Sequence, residues 1–214
     1  MDNYLSAPIS VVESFNRWNS NKSAGDWELD IIWPHSTFDF DQIRKILLDV
    51  QSAFTWGEIY DIGIACTNHS PSHLNLNGGD IESWLQSLKE MDNSFNGIEI
   101  DILLPIITDD NNNIKSLGQG IKIICDLPYK NGTHGIGITM YVDLYTDLIR
   151  IKNVDTEDYE EINISEQAKH NRKLLRDTLK KFEAASGGTI THWYSDLGIS
   201  GIDRYGFDEN SEEI

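Results

Sequence analysis

The segment WELDIIW (27–33) alternates apolar and acidic positions. Trp27, Leu29, Ile31 and Trp33 fall on one face at the two-residue period of a strand, with Glu28 and Asp30 on the other. This predicts a half-buried strand, which Pro34 ends. The period then changes. Asp39 with Gln42 three residues later is an N-cap signal for a helix that places Ile43, Ile46, Leu47, Val50 and Phe54 along one stripe. EIYDIGIAC (58–66) predicts a second strand, and DIESWLQSLKEM (80–91) a second amphipathic helix with Trp84, Leu85, Leu88 and Met91 inward and Asp80 as its cap.

GIEIDILLPII (97–107) predicts a largely buried strand. Three short β-branched runs follow, at 120–127, 135–145 and 147–152, with turn formers such as Asn131 and Gly132 between them, and they predict an antiparallel meander. DTEDYEE (155–161) reads as a charged connector. Ser165 is placed to cap a helix that runs to about Ala185, buries Leu175, Leu179 and Phe182, and stops at Gly187 and Gly188. TITHWY (189–194) supplies the last strand. The order predicts an α+β fold, a mixed or antiparallel sheet with about three packed helices, rather than strict βαβ alternation. No internal repeat and no Pro-, Gly- or Ser-rich linker is visible, so the expectation is a single domain over 1–214 with frayed ends at 1–8 and 207–214.

Composition adds constraints that pattern alone lacks. With 39% hydrophobic residues, 10% aromatics and six tryptophans in 214 residues, the chain has material for a real core. No run reaches the ~18 to 20 apolar residues of a membrane helix, and the first residues lack a basic n-region and an apolar h-region. Two cysteines, Cys66 and Cys125, fit a reducing compartment, and the reading is cytoplasmic.

Charge shifts the expectation toward partners. The net charge of -18 opposes direct nucleic-acid binding, because phosphates would be repelled. From Asp49 to Asp110, eleven Asp and Glu accompany a single basic residue, Lys89. Asp80, Glu82, Glu90, Asp92, Asp109 and Asp110 are therefore the candidate partner-binding acids, with Trp84 or Phe95 as an aromatic anchor. The opposite charge concentrates at Lys169, Arg172, Lys173, Arg176, Lys180 and Lys181 on one helix, placed to neutralise nearby acid such as the DTEDYEE run.

Three motifs invite chemistry. Cys66, His69 and His73 stand at Cys-x2-His-x3-His spacing, a possible zinc set with an open position for water. The strand period turns Cys66 toward the core while the histidines belong to a polar loop, so no metal is assigned and the three remain weak candidates. DDNNN (109–113) matches the first positions of a calcium loop, but Ile114 and Gly120 stand where the turn glycine and closing glutamate belong, which leaves a turn between strands.

YSDLGISGIDRYGF (194–207) resembles the Tyr-x-Asp-x-Gly-Ile-Ser-Gly signature of serine recombinases. Tyr205 replaces that family's proline, and its Tyr-x-Arg-x-Ser motif with the nucleophilic serine has no match, so Gly198, Gly201 and Gly206 are assigned to turns. No nucleophile elbow, zinc-protease helix or phosphate loop is present. His35, His134, His170 and His192 are scattered, and no cofactor is implied.

In length, acidity and Asn/Ile-rich composition the chain resembles the immunity proteins of bacterial toxin systems. The resemblance implies a protein-binding module that inhibits a cognate, basic toxin through its negative surface. Two other classes are carried beside it. One is a hydrolase or metal-dependent enzyme without a recognisable motif, and the other is a structural or adaptor homo-oligomer.

Overall fold

The computed structural model describes residues 4–17, 22–32, 40–66, 72–75, 81–90, 95–109, 113–126, 133–152 and 158–209. In chain order the elements are β1 (Leu5–Ala7), α1 (Ile9–Arg17), β2 (Gly25–Ile32), α2 (Phe40–Ala53), β3 (Glu58–Cys66) and β4 (Ser72–Asn75). Then come α3 (Ile81–Glu90), β5 (Phe95–Thr108), β6 (Ile114–Asp126), β7 (Thr133–Met140), β8 (Leu148–Lys152) and β9 (Tyr159–Asn163). The last are α4 (Ser165–Ser186), β10 (Thr189–Tyr194), β11 (Ile202–Asp203) and β12 (Gly206–Phe207).

The fold is α+β. Seven strands pair antiparallel in the order β10-β2-β7-β6-β5-β3-β4, and β1 joins β5 in parallel, which makes the eight-stranded sheet mixed. The described residues hold four helices rather than about three. The additional one, α1, follows directly on β1.

The meander is real but shifted along the chain. It consists of β5, β6 and β7, joined by hairpin pairing. The run expected to continue it, 147–152, leaves the sheet as β8 and pairs with β9, which arises from the end of the supposed connector DTEDYEE. The strand predicted over 135–145 stops at Met140. The cause is Asp143, whose Oδ1 accepts the Tyr145 and Thr146 N–H groups at 3.2 Å while Oδ2 accepts the Thr146 hydroxyl at 2.6 Å. A side chain that bonds its own backbone two and three residues on builds a turn in place of a ladder.

Alternation separates the two faces of the sheet. Trp27, Leu29 and Ile31 of β2, Ile136 and Ile138 of β7, Ile121 and Ile123 of β6, and Ile98, Ile100 and Ile102 of β5 are all buried. They join one apolar cluster with the α2 stripe, including Ile43, Ile46, Leu47 and Val50, and with Leu175, Leu179 and Phe182 of α4. Phe54 meets Phe182 edge-on at 5.9 Å, and Trp56 donates its indole N–H to the Thr178 hydroxyl at 2.7 Å. The stripes expected on both helices are the ones buried.

Both ends expected to fray are tied down where they are described. Leu5 and Ala7 are buried, and β1 lies in register with Ile106–Thr108 of β5. Phe207 is buried, stacks on Tyr145 at 5.1 Å, and meets Trp27 edge-on at 5.7 Å. At the start of α4, Ser165 is the first helical residue rather than the cap. Asn163 Oδ1 accepts its N–H at 3.1 Å and its hydroxyl at 2.8 Å. Gly187 closes the helix in the left-handed conformation, as its sequence position predicts.

The recombinase-like stretch is structural. Gly198, Gly201 and Gly206 have positive φ, Ile199 and Phe207 enter the core, and Asp203 and Arg204 pair with Arg176 and Glu183 of α4. The basic helix thus neutralises acid within the molecule. Arg172 is buried and holds Asp147 at 2.9 Å and the Tyr145 carbonyl at 2.8 Å, and Arg176 holds Asp203 at 3.0 Å.

Candidate functional site

The acidic positions of β2, which alternate with its buried ones, point away from the core, and the strand register carries that polarity across the sheet. One transverse row runs Tyr194 (β10), Asp26 (β2), Thr139 (β7), Lys122 (β6), Asp101 (β5), Asp61 (β3). The next runs His192, Glu28, Gly137, Ile124, Glu99, Gly63, and a third begins Asp30, Gly135. Residues directly opposite in an antiparallel pair share a face. The face away from the helices therefore carries Asp26, Glu28, Asp30, Asp61, Glu99 and Asp101 against Lys122.

Burial grades this face. Glu28 and Asp30 are exposed, whereas Asp26 is 7% and Asp101 9% exposed. Asp26 accepts hydrogen bonds from the Ser23 hydroxyl and, at 2.6 Å, from Thr139, while Asp196 accepts from Ser23 at 3.1 Å. Burial pushes the Asp26 carboxyl above the usual carboxylate range, against the pull of the Ser23 and Thr139 hydroxyls.

Burial pushes Asp101 up as well. Lys122 opposes the shift, and Glu99 and Asp61 add to it. Lys122 bonds Glu99 and sits 3.8 Å from Asp101 Oδ1. Its own desolvation favours the neutral amine, but the two acids outweigh that and hold its pKa above the ordinary value. Asp61 and Asp101 oppose one another directly, a like-charge pairing that costs stability, and Oδ1 of each is buried without a hydrogen-bond donor.

Of the acids singled out by sequence density, only Glu82 and Asp109 have described side chains. Glu82 is exposed in the first turn of α3. Asp109 is exposed, but its Oδ1 accepts the Ile9 N–H at 2.9 Å and so satisfies the first turn of α1. Asp80, Asp92 and Asp110 lie outside the described residues, as does the Glu90 side chain. Trp84 is 8% and Phe95 1% exposed, so neither presents an anchor. Both belong to the core because the inward stripe of α3 and the inward positions of β5 place them there.

His69 and the side chains of Cys66 and His73 lie outside the described residues. Among the described residues no three His, Cys, Asp or Glu side chains converge as a metal site requires. Of the DDNNN run, residues 110–112 lie outside the described residues; on either side of them the Thr108 N–H donates to the Asn113 carbonyl at 2.8 Å.

No protein-family model, curated protein or solved structure matches the chain. The chemistry of the face must therefore be read from its own residues. Clustered carboxylates with exposed members at Glu28 and Asp30 attract cationic groups and repel phosphates. The missed signal lay in period rather than density. Asp26, Glu28 and Asp30 are three acids in five residues, all on the non-core phase of one strand, and Glu99 and Asp101 repeat the phase on β5. No helix among the described residues is long and apolar enough to cross a membrane.

Proposed function

We propose that the chain is an acidic protein-binding module that docks a basic protein on the open face of its sheet, acting as the immunity partner of a bacterial toxin. The observation that carries this reading is the convergence of Asp26, Glu28, Asp30, Glu99, Asp101 and Asp61 on one sheet face, with Glu28 and Asp30 exposed. A field of this sign raises the local concentration of a cationic partner and steers encounter at rates up to ~10⁸ to 10⁹ M⁻¹s⁻¹ at low salt. Inhibition follows where the docked surface of the toxin includes its own basic cleft, since the carboxylates then occupy the place of an anionic substrate. The expected compartment is the cytoplasm.

The test begins with capture of partners from the source cell's lysate on the immobilised protein at low and at ~0.5 M salt, where the Debye length falls to about 4 Å. The captured protein is then purified and its association rate measured. Glu28→Lys with Asp30→Lys should slow association at least tenfold while Glu82→Lys leaves it near parental, and the partner's toxicity in cells should be relieved by the parent and the Glu82→Lys chain but not by the double reversal. An association rate indifferent to the Glu28 and Asp30 reversals would rule out docking on this face.

A further inference from the structure

The glycines of this fold divide by cause. At Gly25, Gly57, Gly120 and Gly188 a Cβ would come within 2.3 to 2.7 Å of a neighbouring side chain, and Gly187, Gly198 and Gly206 have positive φ. Gly135 and Gly137 have neither reason. A Cβ at Gly135 would meet nothing within 4 Å, and at Gly137 only the Ile124 carbonyl at 3.9 Å. Glycine in the interior of a strand weakens it, and where neither backbone nor packing demands it, it marks a place where another chain or ligand approaches closely.

These two residues lie on the open face of β7, opposite Glu28 and Asp30 of β2. On the other side, across β6, stands Glu99 of β5. The acid rows of β2 and β5 are three strand spacings apart, about 14 Å. Among the described side chains, the floor between them is backbone at Gly135 and Gly137 on β7 and the half-buried Ile124 on β6. One row along from Glu99, Asp101 stands in the β5 wall across Lys122, and Asp61 lies beside it on β3, each with a donor-less Oδ1 atom.

We infer that the trough over Gly135 and Gly137 is the seat of a lysine- or arginine-bearing segment of the partner. The segment lies along β7 between the Glu28 and Glu99 rows, with one cationic side chain directed at Asp101 and Asp61. The inference rests on the docking reading above and adds the element of the partner that is recognised. Three observations converge on it: acid walls, a floor lowered to backbone at Gly135 and Gly137 without a steric cause, and two buried carboxylate oxygens lacking a donor. An arriving guanidinium or ammonium supplies that donor and relieves the Asp61–Asp101 repulsion, a service Lys122 performs only from one side at 3.8 Å.

The experiment uses the full chain and a dye-labelled peptide of alternating arginine and serine. About ten residues are enough to run the ~26 Å of the eight-residue β7. Affinity is read by fluorescence anisotropy at several salt concentrations, with far-UV circular dichroism of each variant. Gly137→Leu fills the floor without altering charge and should weaken binding tenfold or more. Gly135→Val, at a position with nothing within 4 Å, provides the same test should Gly137→Leu not fold. Asp61→Asn should weaken binding severalfold.

If Glu28→Lys with Asp30→Lys weakens binding but neither filled variant does, the trough is overturned and the docking reading survives. If no variant changes the affinity, or the parent does not bind the peptide, both fall.

Discussion

Replacing Asn171 by alanine should loosen β1 from the body of the protein and cost a large share of its stability. Asn171 is fully buried on α4, and its carboxamide makes three hydrogen bonds. Nδ2 donates to the Ser6 carbonyl at 2.8 Å and to the Leu144 carbonyl at 2.9 Å, and Oδ1 accepts the Ser6 N–H at 2.9 Å. One side chain thus serves both backbone groups of Ser6 on the flank of β1 away from its partner β5. Three bonds at about 0.5 to 1.5 kcal/mol net give roughly 1.5 to 4.5 kcal/mol, and leaving the buried Leu144 carbonyl unpaired moves the sum toward the upper end, about 3 to 5 kcal/mol. Domains of this size hold only about 5 to 15 kcal/mol in total.

Urea unfolding gives the loss as a shift in midpoint at constant slope, and hydrogen exchange at Ser6 reports whether β1 opens first. Asn171→Leu removes the same bonds but refills the volume. If the leucine variant recovers most of the stability, or alanine costs under ~1 kcal/mol, the role assigned to the three bonds is wrong and packing alone explains the residue.

Gly137→Thr should stabilise the free protein by about 0.5 to 1 kcal/mol, seen as a rise of roughly 1 to 4 °C in the thermal midpoint, because a β-branched residue suits a strand and the site has room for it. Destabilisation would show a hidden steric role for that glycine. Asp26 and Asp101 have native pKa values raised above 3.8, so both cost stability at neutral pH, a cost relieved as pH falls through the raised values toward 3.8. Asp101→Asn should accordingly raise stability at pH 7 and flatten its dependence between neutral pH and about 4, read from urea midpoints.

Glu183 behaves oppositely. Burial alone would raise its pKa, but Arg204, Tyr205 and the Ile190 N–H hold it below 4.5, so its contribution is complete above that value and is lost as pH falls through the native pKa. Glu183→Gln should remove that acid-side loss and speed proteolysis in the 195–209 segment, and an unchanged cleavage rate would deny Glu183 its role as a latch.

What the sequence made legible was whatever local period controls. The stripe of α2, the phase of β2 and the glycine stop of α4 each follow from neighbours a few residues away, and each is found where expected. β9 was hidden because its burial alternates hardly at all, with four of its five residues exposed. α1 and β1 were hidden because their partners are remote: β1 lies on β5, and α1 starts on the Asp109 carboxylate.

The acidic sheet face was hidden for a related reason. Counting acids along the chain favours residues adjacent in sequence, whereas the open face draws Asp26, Glu28, Glu99 and Asp101 from two strands separated by two others in the sheet. Trp84 and Phe95 show the complementary error, since a large aromatic in an acidic stretch is as apt to face the core as a partner, and only the helix and strand phases decide.

The Ser6–Asn171 contact spans 165 residues of chain. At a ribosomal rate of about 5 to 20 residues per second, the interval between the emergence of Ser6 and that of its buried partner is roughly 8 to 33 s. Through that interval β1 has no α4 to lie against, and β5 itself arrives only part-way through. The nascent chain therefore carries an apolar LSA strand and the amphipathic α1 without shelter while the meander assembles. The β1–α1 segment is made well before α4 and is locked only once α4 arrives, which places its window for chaperone capture or proteolytic loss during translation rather than after it.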